Sequence, residues 1–195
     1  MSESTGIALV VGLGNQGERY ERTRHNAGFW FVDRVAEQYH GVCSREARLF
    51  GEACRVDVSG VPVRLLKPGT MMNRSGQSVC ATASYFDIPP ERILVAHDEI
   101  DLPPGTTRLK RGGGHGGHNG LRDIINCLGS SFWRLRLGVG HPGHRDQVVG
   151  YVLSRAPRGE EDLVMNNVEE AVALMPLLSA GEMERSMHRL HTEGR

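Results

Sequence analysis

Residues 7–17 read IALVVGLGNQG, an apolar run that ends in a short polar segment between two glycines. The run is rich in β-branched residues and has the length of one strand. The GNQG segment that follows it is typical of a tight turn. The sequence therefore predicts a buried first strand with a polar turn at its carboxyl end.

The same stretch matches the GxGxxG pattern of dinucleotide-binding sites. Such a site needs a helix that begins directly after the last glycine, because the helix amino terminus binds the pyrophosphate. Here residues 18–25 are mostly polar, and helical periodicity begins only near Phe29. The pattern alone is therefore weak evidence for a nucleotide cofactor, and we expect none.

Strand-like and helix-like segments alternate along the rest of the chain. Predicted strands cover residues 55–58, 61–66, 93–96 and 133–139, and predicted helices begin near Phe29 and cover residues 75–86, 121–128, 160–178 and 183–190. Alternation of this kind predicts an α/β sandwich with a central mixed, twisted β-sheet flanked by helices. No long linker divides the sequence, so we expect residues 1–195 to form a single domain.

Composition and cysteine usage favour a cytoplasmic protein. The amino terminus lacks a signal-peptide pattern, and no apolar run approaches the ~18 residues of a membrane span. The four cysteines are 11, 26 and 47 residues apart, with no CxxC pair. This spacing supports neither a zinc knuckle nor a disulfide framework. We therefore expect four buried or idle thiols.

The net charge of zero conceals a local asymmetry. The chain has 23 basic and 23 acidic residues, but residues 108–145 contain seven Lys or Arg and one Asp, a net charge of +6. A basic segment of this kind can bind a polyanion such as RNA. By charge alone, an ordinary solvated surface remains an equal alternative.

Metal-dependent and covalent mechanisms have little support in the sequence. The pairs His115/His118 and His141/His144 belong to no recognised ligand set, and adjacent residues of the HDEID segment (97–101) would face opposite sides of a strand. There is no GxSxG motif and no cysteine-nucleophile signature. We expect no metal site.

One histidine and one aspartate remain as candidates for acid–base chemistry. His25 lies in the polar TRHNAG segment, and Asp98 follows a predicted buried strand. A neutral imidazole oriented by a carboxylate can activate water for attack on an ester. Alternatively, His25 only forms a hydrogen bond in a turn, and local sequence by itself favours that more common role.

Several long segments together, in this order, resemble bacterial peptidyl-tRNA hydrolases. They cover most of the chain between residues 7 and 153, and a set of long motifs is far more specific than any one of them. The segments are VGLGN (11–15), TRHNAG (23–28), KPGTMMNRSG (67–76), HDEID (97–101), GGGHGGHNG (112–120) and RLRLGVGHPG (134–143).

The resemblance implies a single-domain, usually monomeric α/β hydrolase that needs neither metal nor cofactor and has no obligate protein partner. Its substrate would be peptidyl-tRNA, in which it cleaves the ester at the tRNA 3′ end and so recycles tRNA from stalled ribosomes. In that family the residue matching His25 is the general base, and the residue matching Asp98 holds it. The residue matching Asn15 helps to discriminate peptidyl-tRNA from aminoacyl-tRNA.

The resemblance also implies a set of substrate contacts. The residues that match the family's substrate contacts are Tyr20, Met71, Asn73 and Asn119. Lys110 and Arg136 match a pair of cations that grips the tRNA 5′-phosphate. Two positions depart from the family pattern, because Gln16 replaces a usual proline and Met71 replaces a usual aromatic residue. Met71 would offer a softer thioether surface in place of a stacking ring.

A non-catalytic module that binds RNA or nucleotides is the alternative function. It would use the same basic segment and the same glycine-rich loop. It accounts for the charge asymmetry but leaves the combination of His25, Asp98 and three asparagines unexplained. Release of free tRNA from an N-blocked aminoacyl-tRNA would distinguish the two functions.

Overall fold

The computed structural model describes residues 5–192, which contain one seven-stranded sheet. The strands are β1 (Leu9–Gly12), β2 (Ser44–Glu46), β3 (Gly51–Val58), β4 (Val61–Pro68), β5 (Ile93–Glu99), β6 (Thr107–Arg111) and β7 (Trp133–Gly138). Their order across the sheet is β2-β3-β4-β1-β5-β7-β6. The four central strands β4, β1, β5 and β7 are parallel, whereas β2, β3 and β6 pair antiparallel with their neighbours. The predicted mixed sheet is confirmed.

Helices cover both faces of this sheet. They are α1 (Ala27–Gln38), α2 (Ser75–Tyr85), α3 (Asn119–Leu128), α4 (Val148–Val152), α5 (Arg158–Val172), α6 (Met175–Ser179) and α7 (Met183–Thr192). Among residues 5–192, no helix has the length and apolar character that crossing a membrane requires.

Strand alternation gives the sheet two apolar faces and the domain two cores. Val10 and Leu94 face the core that contains buried residues of α1, α5, α6 and α7. Leu9 and Val95 face the second core, under α2 and α3. Because successive side chains of a strand point to opposite sides, the short apolar runs of β1 and β5 supply both cores at once.

The predicted elements differ from the structure in two informative places. The helix expected over residues 160–178 is interrupted, because Pro176 lacks a backbone N–H and cannot continue α5. Pro176 instead occupies the first turn of α6, where proline is tolerated. Strand β6 was not predicted, because its sequence TRLKR contains one apolar residue. It is an edge strand, and charged side chains are common on sheet edges.

The expectation of four unpaired cysteines was wrong. The structure joins Cys43 to Cys54 and Cys80 to Cys127, with Cα–Cα distances of 4.4 and 6.5 Å. Antiparallel pairing of β2 with β3 brings the first pair together, and packing of α2 on α3 brings the second pair together. Sequence spacing missed both pairs because they are formed by tertiary contacts.

A close backbone contact joins the first helix to the first strand. A Cβ atom on Gly12 would lie 2.2 Å from the carbonyl oxygen of Gly28, and a Cβ atom on Gly28 would lie 2.3 Å from the carbonyl oxygen of Ala96. Only glycine fits at these distances. The first glycine of the GxGxxG pattern therefore lets α1 approach β1 and β5, and no α-helix begins after Gly17 to receive a pyrophosphate.

We predict that Gly28→Ala destabilises the protein, because the added methyl group meets backbone atoms that cannot move aside. The expected loss is about 1–3 kcal/mol in the free energy of unfolding, as for other overpacked sites. Urea unfolding followed by circular dichroism measures it. Gly159→Ala is the matched control, since no atom lies within 4 Å of the Cβ position of that helical residue. Equal unfolding midpoints for the two variants would contradict the packing argument.

Candidate active site

The candidate site lies at the carboxyl ends of β1 and β5, the two central strands of the sheet. The chain runs from β1 to β4 on one side and then crosses to β5 on the other. In open α/β sheets, ligands bind at such a switch point. His25 reaches this position from a 3₁₀ turn, Arg24–Asn26, directly before α1, and Asp98 is the second-last residue of β5.

His25 and Asp98 are in direct contact. Nδ1 of His25 lies 2.9 and 3.0 Å from the two carboxylate oxygens of Asp98, whose side chain is buried. An ionised carboxylate can only accept, so Nδ1 carries the proton and donates it. This leaves Nε2 of His25 as the basic nitrogen of the neutral ring.

A second histidine contacts the same carboxylate. Nε2 of His118 lies 2.9 Å from Oδ1 of Asp98. The other ring nitrogen, Nδ1, accepts from the backbone N–H of Leu121 and caps the amino terminus of α3. These two partners fix the tautomer of His118, with its proton on Nε2. Asp98 therefore accepts hydrogen bonds from two imidazole rings.

The electrostatics of this group favour a charged Asp98. Burial opposes ionisation of Asp98, but the charges and hydrogen bonds of His25 and His118 outweigh burial and hold the pKa of this carboxyl well below its usual range. For His25, burial opposes protonation, but the charge and the hydrogen bond of Asp98 together raise its pKa above the usual value. Asp98 thus makes the ring of His25 a stronger base.

His97 remains neutral beside this group. It is fully buried, and its Nδ1 donates to the backbone carbonyl of Asp98 at 2.8 Å. Burial, with the nearby charge of His118, lowers the pKa of His97 to about 3. A ring that cannot take up a proton at neutral pH has a packing role here, and we assign it no proton transfer.

The side chains of His25, Asp98 and His118 also form a possible metal-ligand group, with one ligand atom of each within 4.8 Å of the others. However, the imidazole nitrogens in this group already form hydrogen bonds to the carboxylate. A metal ion would have to replace both bonds. The existing contacts fit an acid–base site better.

The three predicted asparagines are carried by segments that meet around one glycine. A Cβ atom on Gly120 would lie 2.7 Å from Sδ of Met72, 3.0 Å from Cδ1 of Leu13 and 3.2 Å from Cε1 of His118. These neighbours precede Asn73, Asn15 and Asn119 in the chain by one or two residues. The absence of a side chain at Gly120 therefore lets the three asparagine segments converge beside His118.

The backbone of Asn15 is fixed by a residue that sequence reasoning did not single out. Buried Asn26 accepts from the backbone N–H of Asn15 at 2.8 Å and donates to its carbonyl at 3.0 Å. Asn26 is the neighbour of His25 in the same 3₁₀ turn. Asn15 and His25 are therefore held at a fixed separation.

The remaining predicted substrate contacts lie at the surface around these segments. Met71 is 71% exposed and directly precedes the 3₁₀ turn Met72–Arg74 that contains Asn73. Tyr20 is half-buried in the turn that follows Gly17, and its hydroxyl accepts from Arg19. An exposed thioether beside an exposed amide can contact a bound peptide without rearrangement.

The two predicted phosphate contacts lie on neighbouring strands. Lys110 of β6 pairs in register with Arg134 of β7, and Arg136 is two residues further along the same face. Lys110 is exposed, whereas Arg136 is half-buried and Nε donates to Glu99 at 3.0 Å. A phosphate that binds Arg136 must therefore share it with Glu99.

Sequence reasoning considered His118 only as a possible metal ligand and missed its contact with Asp98. Its position shortly before the predicted helix 121–128 gave little signal, because histidine is not a preferred capping residue and the contact with Asp98 is tertiary. Arg24 was also missed. It is buried, and Nη1 donates to the hydroxyl of Ser154 at 2.7 Å and to the carbonyl of Tyr151 at 3.1 Å, which ties the turn of His25 to the end of α4.

Comparisons with known proteins all point to one family. A family model described as peptidyl-tRNA hydrolase matches residues 9–195. The chain is 54% identical to a peptidyl-tRNA hydrolase of Tolumonas auensis over 95% of both chains, and 56% identical to one of Halorhodospira halophila over 94% of this chain and 95% of the relative. The crystal structure of peptidyl-tRNA hydrolase from Acinetobacter baumannii superposes with a TM-score of 0.96 at 47% identity, over 98% of both chains.

We predict that the pKa of His25 lies above the ordinary value of about 6.5 and that Asp98→Asn lowers it, because only burial then acts on the ring. Titration of the imidazole signals by NMR measures both values. A raised pKa stabilises the folded state fully below about pH 6.5, and this contribution is lost as pH rises through the folded-state pKa. Asp98→Asn should therefore cost more stability at pH 5.5 than at pH 8.5. An unchanged His25 pKa in the variant would contradict the assignment.

Proposed function

The chain belongs to the peptidyl-tRNA hydrolase family, and we propose that it hydrolyses the ester between peptide and tRNA with His25 as the general base. The observation that carries this proposal is the contact of His25 Nδ1 with both oxygens of buried Asp98. Membership of an enzyme family excludes the non-catalytic RNA-binding module as the principal function.

The reaction begins with a water molecule next to Nε2 of His25. Nε2 removes a proton from the water while the water oxygen attacks the ester carbonyl carbon, and the carbonyl oxygen becomes an oxyanion. The protonated ring is stabilised by ionised Asp98. When the tetrahedral intermediate collapses, the C–O bond to the tRNA breaks, and the ring returns its proton to the leaving ribose oxygen. The products are tRNA and the free peptide, whose new carboxylic acid group then loses its proton to solvent.

The three asparagines supply neutral donors and acceptors around this reaction. Their amides can bind the peptide backbone and the developing oxyanion without adding charge next to His25. Asn15 is proposed to discriminate peptidyl-tRNA from aminoacyl-tRNA, which carries a free amino group. Asn26 holds the backbone of Asn15 beside the turn of His25, close to where the ester would bind. Tyr20 and Met71 would contact the peptide and the tRNA 3′ end from the surrounding surface.

Lys110 of β6 and Arg136 of β7 are proposed to bind the tRNA. Lys110 and Arg136 share one face of the sheet edge, and a phosphate between them would receive a point charge from Lys110 and a planar donor group from Arg136. RNA phosphates are recognised by charge and shape, so this contact would act on affinity rather than on chemistry.

We further propose that the enzyme works as a monomer in the cytoplasm and without a protein-bound metal. All candidate catalytic groups come from one chain, and the substrate is a product of translation. The hydrogen bonds within the group of His25, Asp98 and His118 support metal-free chemistry.

We predict that His25→Ala lowers kcat by about 10²–10⁴-fold, the usual contribution of a positioned general base. Asp98→Asn should cost less, because a base remains but its orientation is lost. Release of tRNA from an N-acetylated aminoacyl-tRNA measures both rates. His188→Ala is the matched control, since His188 is an exposed histidine of α7, an element that supplies none of the candidate site residues. A His25→Ala enzyme with the kcat of the unmodified protein would refute the mechanism.

We predict that Lys110→Ala raises KM for full-length substrate with little change in kcat. The plot of log kcat/KM against log salt concentration should become shallower by about one phosphate contact. A blocked amino acid on a CCA fragment lacks the distal phosphate and should be cleaved as before. Arg45→Ala removes the same charge from the opposite edge of the sheet and should leave kcat and KM for both substrates unchanged. Equal losses on the fragment and on tRNA would contradict the phosphate contact.

A further inference from the structure

Arg134 is a buried cation that the reaction described above does not use. Its residue is 3% exposed, and it lies on β7 between the fully buried Leu135 and half-buried Trp133. No carboxylate forms a salt bridge with it among residues 5–192. Burial, with the nearby charge of Arg136, lowers the pKa of Arg134, but a guanidinium stays charged at neutral pH. A buried charge that no carboxylate contacts directly needs other acceptors.

Those acceptors belong to the glycine-rich loop, residues 112–118. Nη2 of Arg134 donates to the carbonyl of Gly113 at 2.5 Å, and Nη1 donates to the carbonyl of Gly114. The guanidinium also lies over the ring of Phe132, 5.0 Å from its centroid. Two adjacent carbonyls match the two donors of a planar guanidinium, which a lysine cannot reproduce.

Apart from Arg134, the loop is held by the side chain of Lys110 beside Gly113 and by hydrogen bonds from the backbone N–H of Gly112 to the carbonyl of Phe132 and from that of Gly117 to His115. Gly114, Gly116 and Gly117 have open space around their Cβ positions, so no side chain packs there. The loop ends at His118, which donates to Asp98 and caps the helix that begins with Asn119. Displacement of the loop would therefore move a partner of Asp98 and a proposed substrate contact together.

We propose that Arg134 is a positioning residue that fixes the glycine-rich loop and, through it, His118 and Asn119. This inference rests on the proposed roles of Asp98 and His25. Arg134 does not contact the substrate. It holds the loop, which positions His118, and His118 orients the carboxylate of Asp98, the partner of the base His25. A bidentate arginine is required because both carbonyls must be held at once.

The test compares Arg134→Lys and Arg134→Ala on full-length N-acetylated aminoacyl-tRNA and on the CCA fragment. We expect kcat to fall by roughly 10- to 100-fold on both substrates, as for other small displacements of catalytic groups. KM for tRNA should rise much less than kcat falls, because the proposed phosphate contacts of Lys110 and Arg136 are retained. Guanidinium ion at millimolar concentration should partly restore Arg134→Ala, because it can occupy the vacated space and donate to both carbonyls.

Arg64 provides the matched control, since it is a half-buried arginine of β4 that lies over the ring of Phe86. Arg64→Ala should keep the kcat of the unmodified protein and show no response to guanidinium.

NMR of Arg134→Lys supplies a readout that does not depend on activity: the signals of the His118 ring N–H and of the loop amides should shift or broaden. If those signals change as expected while His25→Ala remains active, the proposed function fails and the positioning role stands.

Three results would overturn the proposal. A loss confined to full-length tRNA, with a shallower salt dependence, would make Arg134 a phosphate contact. Unchanged kcat and unchanged loop NMR signals in Arg134→Lys would show that the two guanidinium hydrogen bonds to the loop are dispensable. If the NMR spectra of both Arg134 variants are those of unfolded protein while Arg64→Ala is folded, Arg134 contributes to the stability of the fold alone.

Discussion

The contact between the backbones of Gly12 and Gly28 is the constraint on which the candidate site depends. It allows α1 to begin directly against the carboxyl ends of β1 and β5. The 3₁₀ turn before α1 then brings His25 within hydrogen-bond distance of Asp98 on β5. A methyl group at either glycine would separate the helix from the strands, and the two residues would lose contact. The packing requirement of the fold and the geometric requirement of the site are therefore the same requirement.

Asp98 is the electrostatic centre of the structure that this contact creates. One buried carboxylate accepts from His25 and His118, which fixes the tautomer of both rings. Its ionised form is stabilised by the charges and the hydrogen bonds of these two imidazole rings. The shared acceptor also joins two parts of the molecule, because His25 belongs to the start of α1 whereas His118 belongs to the end of the glycine-rich loop. Displacement of the start of α1 or of the glycine-rich loop would therefore alter the hydrogen bonds that the other makes to Asp98.

The arginines and lysine of β6 and β7 divide into two roles despite their adjacency. Lys110 is exposed and Arg136 is shared with Glu99, so both can respond to a phosphate at the surface. Arg134 is turned inward to the loop carbonyls. Chain order gives no hint of this division, because Arg134 and Arg136 alternate with leucines in the same way. Burial decides between the two roles, since Arg134 is buried against the loop carbonyls whereas Arg136 is only half-buried.

The sequence by itself determined the α/β class and most strands and helices, because apolar periodicity is a local property. The candidate site residues came from the resemblance of several motifs to peptidyl-tRNA hydrolases, and not from any local pattern. The role of the first glycine in IALVVGLGNQG was also predictable in part, since no helix pattern follows the turn. Only the tertiary structure decided that His118 contacts Asp98, that Arg134 holds the loop, and that the cysteines pair. Each of these contacts joins residues that lie far apart in the chain, on different elements whose packing no local pattern specifies. His25 and Asp98 are 73 residues apart, and their contact exists because a helix and a strand can approach through two glycines.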